Sequence, residues 1–528
     1  MKRQLTILAV LLLVSGSKAN DEIAVLPGAQ YVLHNVGTGA YLMKDGTLTS
    51  DEGEAANWRV MTNDTVFTTS PEMSCYIHSD ETILQLDYSS FSWNVNFSTE
   101  ANTTDMKPSE TTPGAFTFHY RFLASNRYLG VEVDAEGNGH LAPVRDASAF
   151  CDWEFVPTSH PKDYSYRLMS MNRSSDDSRY CIAYRSRSPK GNELWMSGWM
   201  AVPTDSEGGA SVADHFLLSA HYTMCKRSQW PTSSDPIDGY SSKFSSNKPI
   251  IVEPDYLGCG ITSEWDHPYL AADIMAEECI DMLLAAHDLM RDLHQTDCQT
   301  LALPTYGIGS SQGGSIILAC QKYVETSPRL TEEQRNTINW VRTCACAGAY
   351  NPLATLSHYF VQDDVSVPSV APLLIVGMVA GFPDIFGDTK AEEYFSDAFL
   401  EAGIMDMIRS HEYESEGIAA AIKTSCGGNM HGILSPEAQD LNSDLAQKLL
   451  KAFGQCDLTR DWSPKADVIL YYHPSDDVVP HLNLVSAAKG LQDKCQGVFE
   501  TRQTTFGIQH VVSCVEFFAK MIFGGYKE

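Results

Sequence analysis

Residues 306–314 read Tyr-Gly-Ile-Gly-Ser-Ser-Gln-Gly-Gly and contain the pattern Gly309-x-Ser311-x-Gly313. The apolar residues 315–319 follow directly and favour a helix. Where a strand turns sharply into a helix, glycines must flank a serine nucleophile because larger side chains would clash. The pattern alone arises by chance in roughly one chain in five or six of this length. Its place just before an apolar helix predicts an exposed, nucleophilic Ser311 rather than a plain Gly/Ser loop.

The chain around this turn, from about residue 164 onward, alternates short apolar runs with helical stretches. Short apolar runs are typical of strands buried on both faces, and their alternation with helices is typical of a mainly parallel α/β sheet. The first two strands are expected to be antiparallel. We predict strands at residues 180–187, 195–202, 216–220, 249–254 and 468–472, and helices at 269–290 and 511–523.

A stretch of about 110 residues, 352–462, interrupts this alternation with helical pieces and no convincing strand. Its clearest predicted helices are 391–409 and 436–453. An insertion before the penultimate strand would cover the carboxyl edge of the sheet, either as a structural layer or as a lid over a substrate pocket, and we favour the lid. The apolar run 370–379 fits a lipid-like substrate or a buried core helix equally well.

An acid and a base are needed because a serine at its ordinary pKa is a poor nucleophile. Asp476 follows the predicted strand 468–472 and would lie at the same sheet edge as Ser311, with Asp477 as the competing acid. Further along, His510 stands before the closing helix and could accept the serine proton. The only other histidine after Asp476 is His481, which lies too close to that acid and leads into a helix.

The negative charge that develops on the substrate oxygen needs two backbone N–H donors. The residue after the nucleophile, Gln312, would supply one. The second normally comes from a loop that follows an earlier strand, and residues 221–223 follow the predicted strand 216–220. Tyr222 is the candidate donor there and Thr223 is the alternative.

These motifs resemble those of the α/β-hydrolase superfamily over residues 164–528. Within it, the chain is most similar to secreted lipase- and esterase-type serine hydrolases and to related bacterial prolyl-peptidase-like proteins. The resemblance implies that the first residue of an Asp-x-Val-Val-Pro pattern is the acid, which is Asp476 here. His-Gly-Thr is commoner in the family where Tyr222 stands in this chain. The matching pieces are His221-Tyr222-Thr223, residues 253–260, the Ser311 turn, residues 476–480 and His510.

Residues 27–157 have a different sequence pattern, with short strand-like segments separated by turns and no helical stretches between them. Trp58, Trp93 and Trp153 each close one such segment and suggest a faint three-fold repeat with an insertion in its third unit. Three such units resemble a β-trefoil, the fold of many lectin-like and fascin-like modules. We therefore expect a small all-β domain of β-trefoil type before the α/β domain.

The ricin-type sugar-binding signature has a glutamine two places before each tryptophan. Those places hold Ala56, Phe91 and Cys151 in this chain. This argues against sugar binding of the ricin type. A glycan partner for residues 27–157 is kept as a hypothesis.

The first residues have the features of an export signal. Lys2 and Arg3 precede an apolar run at 5–14, and small residues stand at Ser17 and Ala19, so residues 1–19 are expected to be a cleaved signal peptide. We expect a secreted protein, and no later stretch is long and apolar enough to span a membrane. The 37 basic and 67 acidic residues give a net charge of −30, which makes nucleic acid an unfavourable partner.

Cysteines and glycosylation acceptors fit an exported chain. All 14 cysteines lie between Cys75 and Cys514, and their even number favours several disulfides. Cys344 and Cys346 stand as on one face of a strand, and no second pair has the spacing of zinc ligands. In a eukaryotic secretory pathway, N-linked glycans would be attached at Asn63, Asn96, Asn102 and Asn172.

Together these features predict a secreted serine hydrolase that cleaves small or lipid-like carboxylic esters through an acyl-enzyme. Ser311, His510 and Asp476 would form the catalytic triad, and no metal or organic cofactor would be needed. The alternatives are a serine peptidase of the prolyl-peptidase type and a non-catalytic carbohydrate-binding or scaffold protein.

Overall fold

The computed structural model describes two compact units, residues 1–172 and 173–528. Each is described by itself. The described residues are 30–528 except 63–72, 80–81, 90–91, 99–103, 110, 113–114, 123–124, 136, 158–164, 174–176, 204–212, 234–247, 295–302 and 506–508. The predicted signal peptide, and the boundary predicted between 157 and 164, lie outside them. Asn63 and Asn102 do as well, and the side chains of Asn96 and Asn172 are not described.

The smaller unit is built from short antiparallel strands. They are β1 (Gln30–Asn35), β2 (Ala40–Leu42), β3 (Leu48–Thr49), β4 (Trp58–Thr62), β5 (Met73–Ser79), β6 (Thr82–Ser89), β7 (Ser92–Ser98), β8 (Thr104–Pro108), β9 (Phe116–Phe122), β10 (Ser125–Val133), β11 (Gly139–Val144) and β12 (Trp153–Pro157).

Six of these strands pair in a closed ring. Each strand pairs antiparallel with the next in the order β1, β4, β5, β8, β9 and β12, and β12 returns to β1. Three hairpins, β2–β3, β6–β7 and β10–β11, stand outside the ring. The ring encloses a core in which Trp58, Phe118 and Trp153 are fully buried. Closure removes the unpaired edges that an open sheet would expose.

The strand register corrects the tryptophan repeat. Trp58 is the first residue of β4 and pairs with Tyr31. Trp153 is the first residue of β12 and pairs with Phe116. The corresponding pair of the middle third is Cys75 with Thr104, because Thr104 opens β8. Trp93 lies on the outer hairpin strand β7 and is only partly buried. The positions with equivalent register, Trp58, Thr104 and Trp153, are evenly spaced, so the strand register requires no insertion in the third unit.

The larger unit contains a second sheet and fourteen described helices. Strand β13 (Tyr166–Arg173) crosses the division between the units. The remaining strands are β14 (Asp177–Arg187), β15 (Glu193–Pro203), β16 (His215–Ala220), β17 (Pro249–Pro254), β18 (Thr305–Ser310), β19 (Trp340–Cys346), β20 (Asp467–Tyr472) and β21 (Phe499–Gln503). The helices are α1 (Ala272–His294), α2 (Gln312–Thr326), α3 (Glu332–Ile338), α4 (Pro352–Phe360), α5 (Val370–Gly381), α6 (Pro383–Phe386), α7 (Asp397–Glu401), α8 (Ile404–Ser410), α9 (Ser415–Cys426), α10 (Met430–Ile433), α11 (Pro436–Gln439), α12 (Asp444–Gln455), α13 (Leu482–Leu491) and α14 (His510–Ile522).

The sheet of this unit is mainly parallel. Its strands run in the order β14, β15, β17, β16, β18, β19, β20, β21. The first pairs, β14 with β15 and β15 with β17, are antiparallel, and every later pair is parallel. Outside residues 352–462, the predicted strands and helices are present, within a few residues at each end. Parallel strands end at a common edge, so the loops after β16, β18, β20 and β21 meet there.

Between β19 and β20 the chain is helical. Residues 352–462, which are all described, hold α4 to α12 and no strand. The two long helices predicted there are broken. The stretch predicted at 391–409 becomes a 3-10 turn at Ala391–Tyr394 followed by α7 and α8, because Ser396 caps a new helix and Gly403 has φ +69°. Ser443 likewise starts α12 after the short α11.

The apolar run in this insertion is a core helix. In α5 nearly every side chain is buried, including Leu374 and Ile375. No described helix has both the length and the apolarity to cross a bilayer.

The expected disulfides are not formed among the described cysteines. Twelve cysteine side chains are described, and no disulfide joins any of them. The physical reason is that most sit in the packed interior, where a thiol acts as a small apolar side chain. Cys344 and Cys346 both lie on β19 within the core of the larger unit.

The closed-ring core gives a stability prediction. Trp153→Ala should lower the free energy of unfolding by about 3–5 kcal/mol, because it empties a fully buried site. The same change at the partly buried Trp93 should cost about 1 kcal/mol or less. Chemical denaturation of the full chain, followed by tryptophan fluorescence and circular dichroism, measures both. Equal losses for the two variants would contradict the corrected repeat.

Candidate active site

Ser311 occupies a strained turn between β18 and α2. Its backbone has φ +56° and ψ −122°, a region that residues with a side chain seldom adopt. Such a conformation costs about 1–3 kcal/mol and persists only where its surroundings enforce it. Here the Ser311 N–H donates to the Cys346 carbonyl at 2.9 Å, and the Ser311 carbonyl accepts from Ser315 N–H at 3.2 Å. The turn therefore presents the Ser311 side chain at the end of β18.

The glycines on either side of Ser311 are required by close backbone packing. A Cβ on Gly309 would collide with the Gly313 carbonyl, and a Cβ on Gly313 would collide with the carbonyls of Ala220 and His221. The first turn of α2 thus lies directly against the loop that follows β16. This contact explains why glycine stands two places before and two places after the serine.

Three predicted side chains meet at this edge. His510 Nε2 lies 2.8 Å from Ser311 Oγ, and His510 Nδ1 lies 2.8 Å from Asp476 Oδ2. The side chains of His510 and Asp476 are only 8% and 3% exposed. Because the carboxylate can only accept, the neutral ring carries its proton on Nδ1 and accepts from the serine hydroxyl at Nε2. The other oxygen of Asp476 accepts from the backbone N–H groups of Val478 and Val479, at 2.9 and 2.8 Å.

The pKa of His510 reflects opposing influences. Burial, the largest single influence, lowers the pKa, but Cys514 and Asp476 together raise it well above its usual value. The imidazole is therefore a stronger base than a histidine in water. It can accept a proton only once the pH is high enough to leave it neutral.

The alternative acid, Asp477, and the alternative base, His481, make different contacts from those of Asp476 and His510. Asp477 Oδ1 accepts from the backbone N–H of His510 at 2.9 Å, and Asp477 Oδ2 accepts from Ser366 Oγ at 2.8 Å. Burial raises the pKa of Asp477, but these hydrogen bonds outweigh it and hold the pKa below its usual value. His481 instead stacks on the ring of Tyr472.

Cys514 is a neighbour of the base that motif reasoning missed. Its Sγ lies 3.9 Å from His510 Nε2, one turn along α14. A hydrogen bond from Cys346, and then the His510 ring, lower the pKa of Cys514 although burial opposes them. The four-residue spacing on a predicted helix was the signal that could have found it.

The side chain of Gln312 is fixed by His267, a partly buried histidine that also lines a cavity. Its Nε2 donates to His267 Nε2 at 2.6 Å, and His267 Nδ1 donates to the Leu257 carbonyl at 2.6 Å. Burial lowers the pKa of His267 to about 3, so the ring is neutral and can accept from the amide. This contact holds the residue that follows Ser311. Nothing in the sequence pattern pointed to His267.

The loop after β16 carries the other predicted oxyanion donors. Its His221 is buried and donates from Nδ1 to the Tyr222 carbonyl at 2.6 Å. The Tyr222 side chain is 43% exposed, and Thr223 Oγ1 lies 2.7 Å from the Tyr269 hydroxyl. The structure places this loop beside Gly313, and the choice between Tyr222 and Thr223 as donor stays a prediction.

A cavity of about 270 Å³ lies beside Gln312. On the side of the sheet it is lined by Thr223, His267 and Tyr269, and on the side of the helical insertion by Leu373, Val376 and Ile408. The insertion therefore forms its roof. Among the side chains that the structure describes, no group of three or more His, Cys, Asp or Glu could hold a metal ion.

Comparison with known proteins adds a fold similarity. No known family profile and no curated protein matches the sequence. A candidate hydrolase from Legionella pneumophila is similar in structure, with a TM-score of 0.52 and 19% identity, over 68% of this chain and 90% of that chain. The rice cell wall degrading esterase LipA from Xanthomonas oryzae gives 0.48 and 17%, over 67% and 89%. Candida antarctica lipase A in its closed state gives 0.48 and 11%, over 68% and 82%.

At these identities the similarity concerns the fold alone. The Legionella structure and the strand order described above agree on an α/β-hydrolase-like fold. The fold that the family resemblance implied is thereby confirmed at this level, and the predicted bounds 164–528 stay a prediction. The β-trefoil assignment of residues 27–157 is not addressed by these similarities.

The packing of the turn predicts how two glycines respond to alanine. Gly313→Ala should prevent a stable fold or cost about 3 kcal/mol or more, because its Cβ has no room against Ala220. Gly417 lies on the surface helix α9 and has room for a Cβ, so Gly417→Ala should stabilise by up to about 1 kcal/mol. Thermal melting of both variants checks this. A Gly313→Ala protein as stable as wild type would refute the packing argument.

Proposed function

We propose that residues 173–528 form a serine hydrolase that cleaves carboxylic esters through an acyl-enzyme. One observation carries the proposal, the chain of hydrogen bonds from Asp476 through His510 to Ser311 at a strained turn. A nucleophile, a base and an orienting acid in this order are what acyl transfer requires. The cavity is lined by Gln312, the residue that follows Ser311, and is the proposed place for the acyl group.

The reaction follows from the positions of these atoms. Ser311 Oγ attacks the ester carbonyl carbon while its proton passes to His510 Nε2, and Asp476 stabilises the imidazolium that forms. The backbone N–H groups of Gln312 and Tyr222, with Thr223 as the alternative to Tyr222, would stabilise the oxyanion. Collapse of the intermediate expels the alcohol, which takes the proton from Nε2. Water then attacks the acyl-enzyme by the same steps and releases the acid.

The smaller unit is proposed to be a β-trefoil. The closed ring of six strands and the three outer hairpins support this, as does the even spacing of Trp58, Thr104 and Trp153. Its glycan partner stays a prediction, which a glycan array probed with the full chain would test.

Export is proposed on the sequence of residues 1–19 alone. Sequencing of the mature amino terminus after expression in a secreting host tests it, and a mature chain that begins at Asn20 is expected. Retention of Met1 in the secreted product would contradict it.

The nucleophile is tested by Ser311→Ala. Its kcat on chromogenic esters should fall about 10⁴- to 10⁶-fold, as when a triad serine is removed. Ser475→Ala changes an exposed serine of the neighbouring acid loop and should keep wild-type rates. The same panel should include aminoacyl-proline amides. Turnover of amides alone would replace the esterase proposal with a peptidase, and equal rates for Ser311→Ala and wild type would exclude Ser311 as nucleophile.

The acid is tested by Asp476→Asn against its neighbour Asp477→Asn. Asp476→Asn should lower kcat about 10⁴-fold, because the amide no longer fixes the productive tautomer. Asp476 raises the pKa of His510, so the remaining activity should extend to lower pH, since the ring then loses its proton at lower pH. Asp477→Asn keeps an oxygen that accepts from the His510 backbone and should change kcat much less. Profiles of kcat/KM against pH measure both, and the reverse ranking would make Asp477 the acid.

A further inference from the structure

The cavity beside Gln312 is bounded by an ion pair between the helical insertion, residues 352–462, and the rest of the larger unit, called the sheet domain below. Asp266 and Arg409 both line this cavity. Arg409 Nε lies 2.8 Å from Asp266 Oδ1, and Arg409 Nη2 lies 2.9 Å from Asp266 Oδ2. The third nitrogen, Nη1, donates to Glu392 Oε1 at 2.6 Å. A bidentate pair of this kind holds the guanidinium in one orientation.

The segment that carries Arg409 is docked on the sheet domain. Helix α8 ends at Ser410 and is capped by His411, whose φ is +56°. His411 Nε2 donates to the Ser263 carbonyl at 3.1 Å, and the His411 carbonyl accepts from Arg227 N–H at 2.8 Å. Burial lowers the pKa of His411, so the ring stays neutral at neutral pH. The contacts of His411 with Ser263 and Arg227 therefore fix the end of the helix that carries Arg409.

A second cavity, of about 360 Å³, lies on the other side of the ion pair. Trp265, Asp266 and Arg409 line both cavities. Helix α5 also borders both, with Leu373 and Val376 on the first cavity and Val379 and Ala380 on the second. Residues three or four apart lie on one face of a helix, so the two cavities follow each other along α5. The wall that they share is formed by Trp265 and the ion pair.

We propose that the Arg409–Asp266 ion pair is the end wall of the acyl pocket and limits the length of the acyl chain that the protein accepts. This rests on the proposed ester hydrolysis. An apolar chain could pass the wall only by displacing the partly exposed Arg409 side chain, which three charge-assisted hydrogen bonds to Asp266 and Glu392 hold in one orientation. Esters of short and medium acyl chains are then the substrates. Without the wall, the two cavities form one longer pocket along α5.

The acyl-length profile tests the wall. Chromogenic esters from butyrate to hexadecanoate are compared by kcat/KM for wild type, Arg409→Ala and Asp266→Asn. The ratio of dodecanoate to butyrate should rise about tenfold or more in Arg409→Ala, since one methylene in an apolar pocket changes the rate about tenfold or more. Arg460→Ala is the matched control, because Arg460 pairs with Asp457 and lines neither cavity. Its ratio should equal that of wild type.

A measurement of fatty-acid binding, called the binding arm below, tests the wall independently of the proposed activity. In a Ser311→Ala background, calorimetric titration with octanoate and dodecanoate is repeated with Arg409→Met, which keeps the apolar stem of the side chain and guards against loss of the fold. Dodecanoate should bind about tenfold more tightly once Arg409 is replaced, while octanoate changes little. Equal dodecanoate affinity with and without Arg409, in proteins that melt like wild type, overturns the wall. Absence of ester turnover in wild type overturns only the proposed activity, and the binding arm still decides on the wall.

Discussion

The backbone contact between the first turn of α2 and the loop after β16 is the constraint on which the site depends. Gly313 packs on the carbonyls of Ala220 and His221 with no room for a Cβ, and Ser311 is held at φ +56°. The contact fixes where the serine side chain emerges. It also brings the two segments that would stabilise an oxyanion side by side. The energy stored in the turn is balanced by the buried, fully paired strands on either side of it.

The rest of the site follows from the parallel sheet. Ser311, Asp476 and His510 are far apart in the chain, but each follows a strand that ends at the same edge. Two hydrogen bonds of 2.8 Å then join them. This is why local signals in the sequence were sufficient to predict that these three side chains lie at one edge of the sheet. Each is marked by a local signal, and the order of strands does the rest.

Features that depend on three-dimensional packing were not predictable in this way. Trp93 matches Trp58 and Trp153 by residue type, but the position whose strand register is equivalent to theirs is Thr104, which only the structure reveals. The predicted disulfides rested on an even count of cysteines, whereas no disulfide joins the described cysteines, most of which pack in the interior. His267 lies 45 residues before Gln312 in a loop without a motif. Contacts of this kind are set by burial, and composition does not encode them.

The sheet domain and the helical insertion contribute different parts of the proposed site. The residues proposed for catalysis all lie on the sheet domain, and the strongly acidic composition has no part in their arrangement. The cavity is different, because its roof and Arg409 belong to the insertion between β19 and β20. Changes in α5 or α8 can therefore reshape the space for a substrate while the hydrogen bonds of Ser311, His510 and Asp476 stay as they are. In the proposed hydrolase, the insertion would select the substrate and the sheet edge would carry out the reaction.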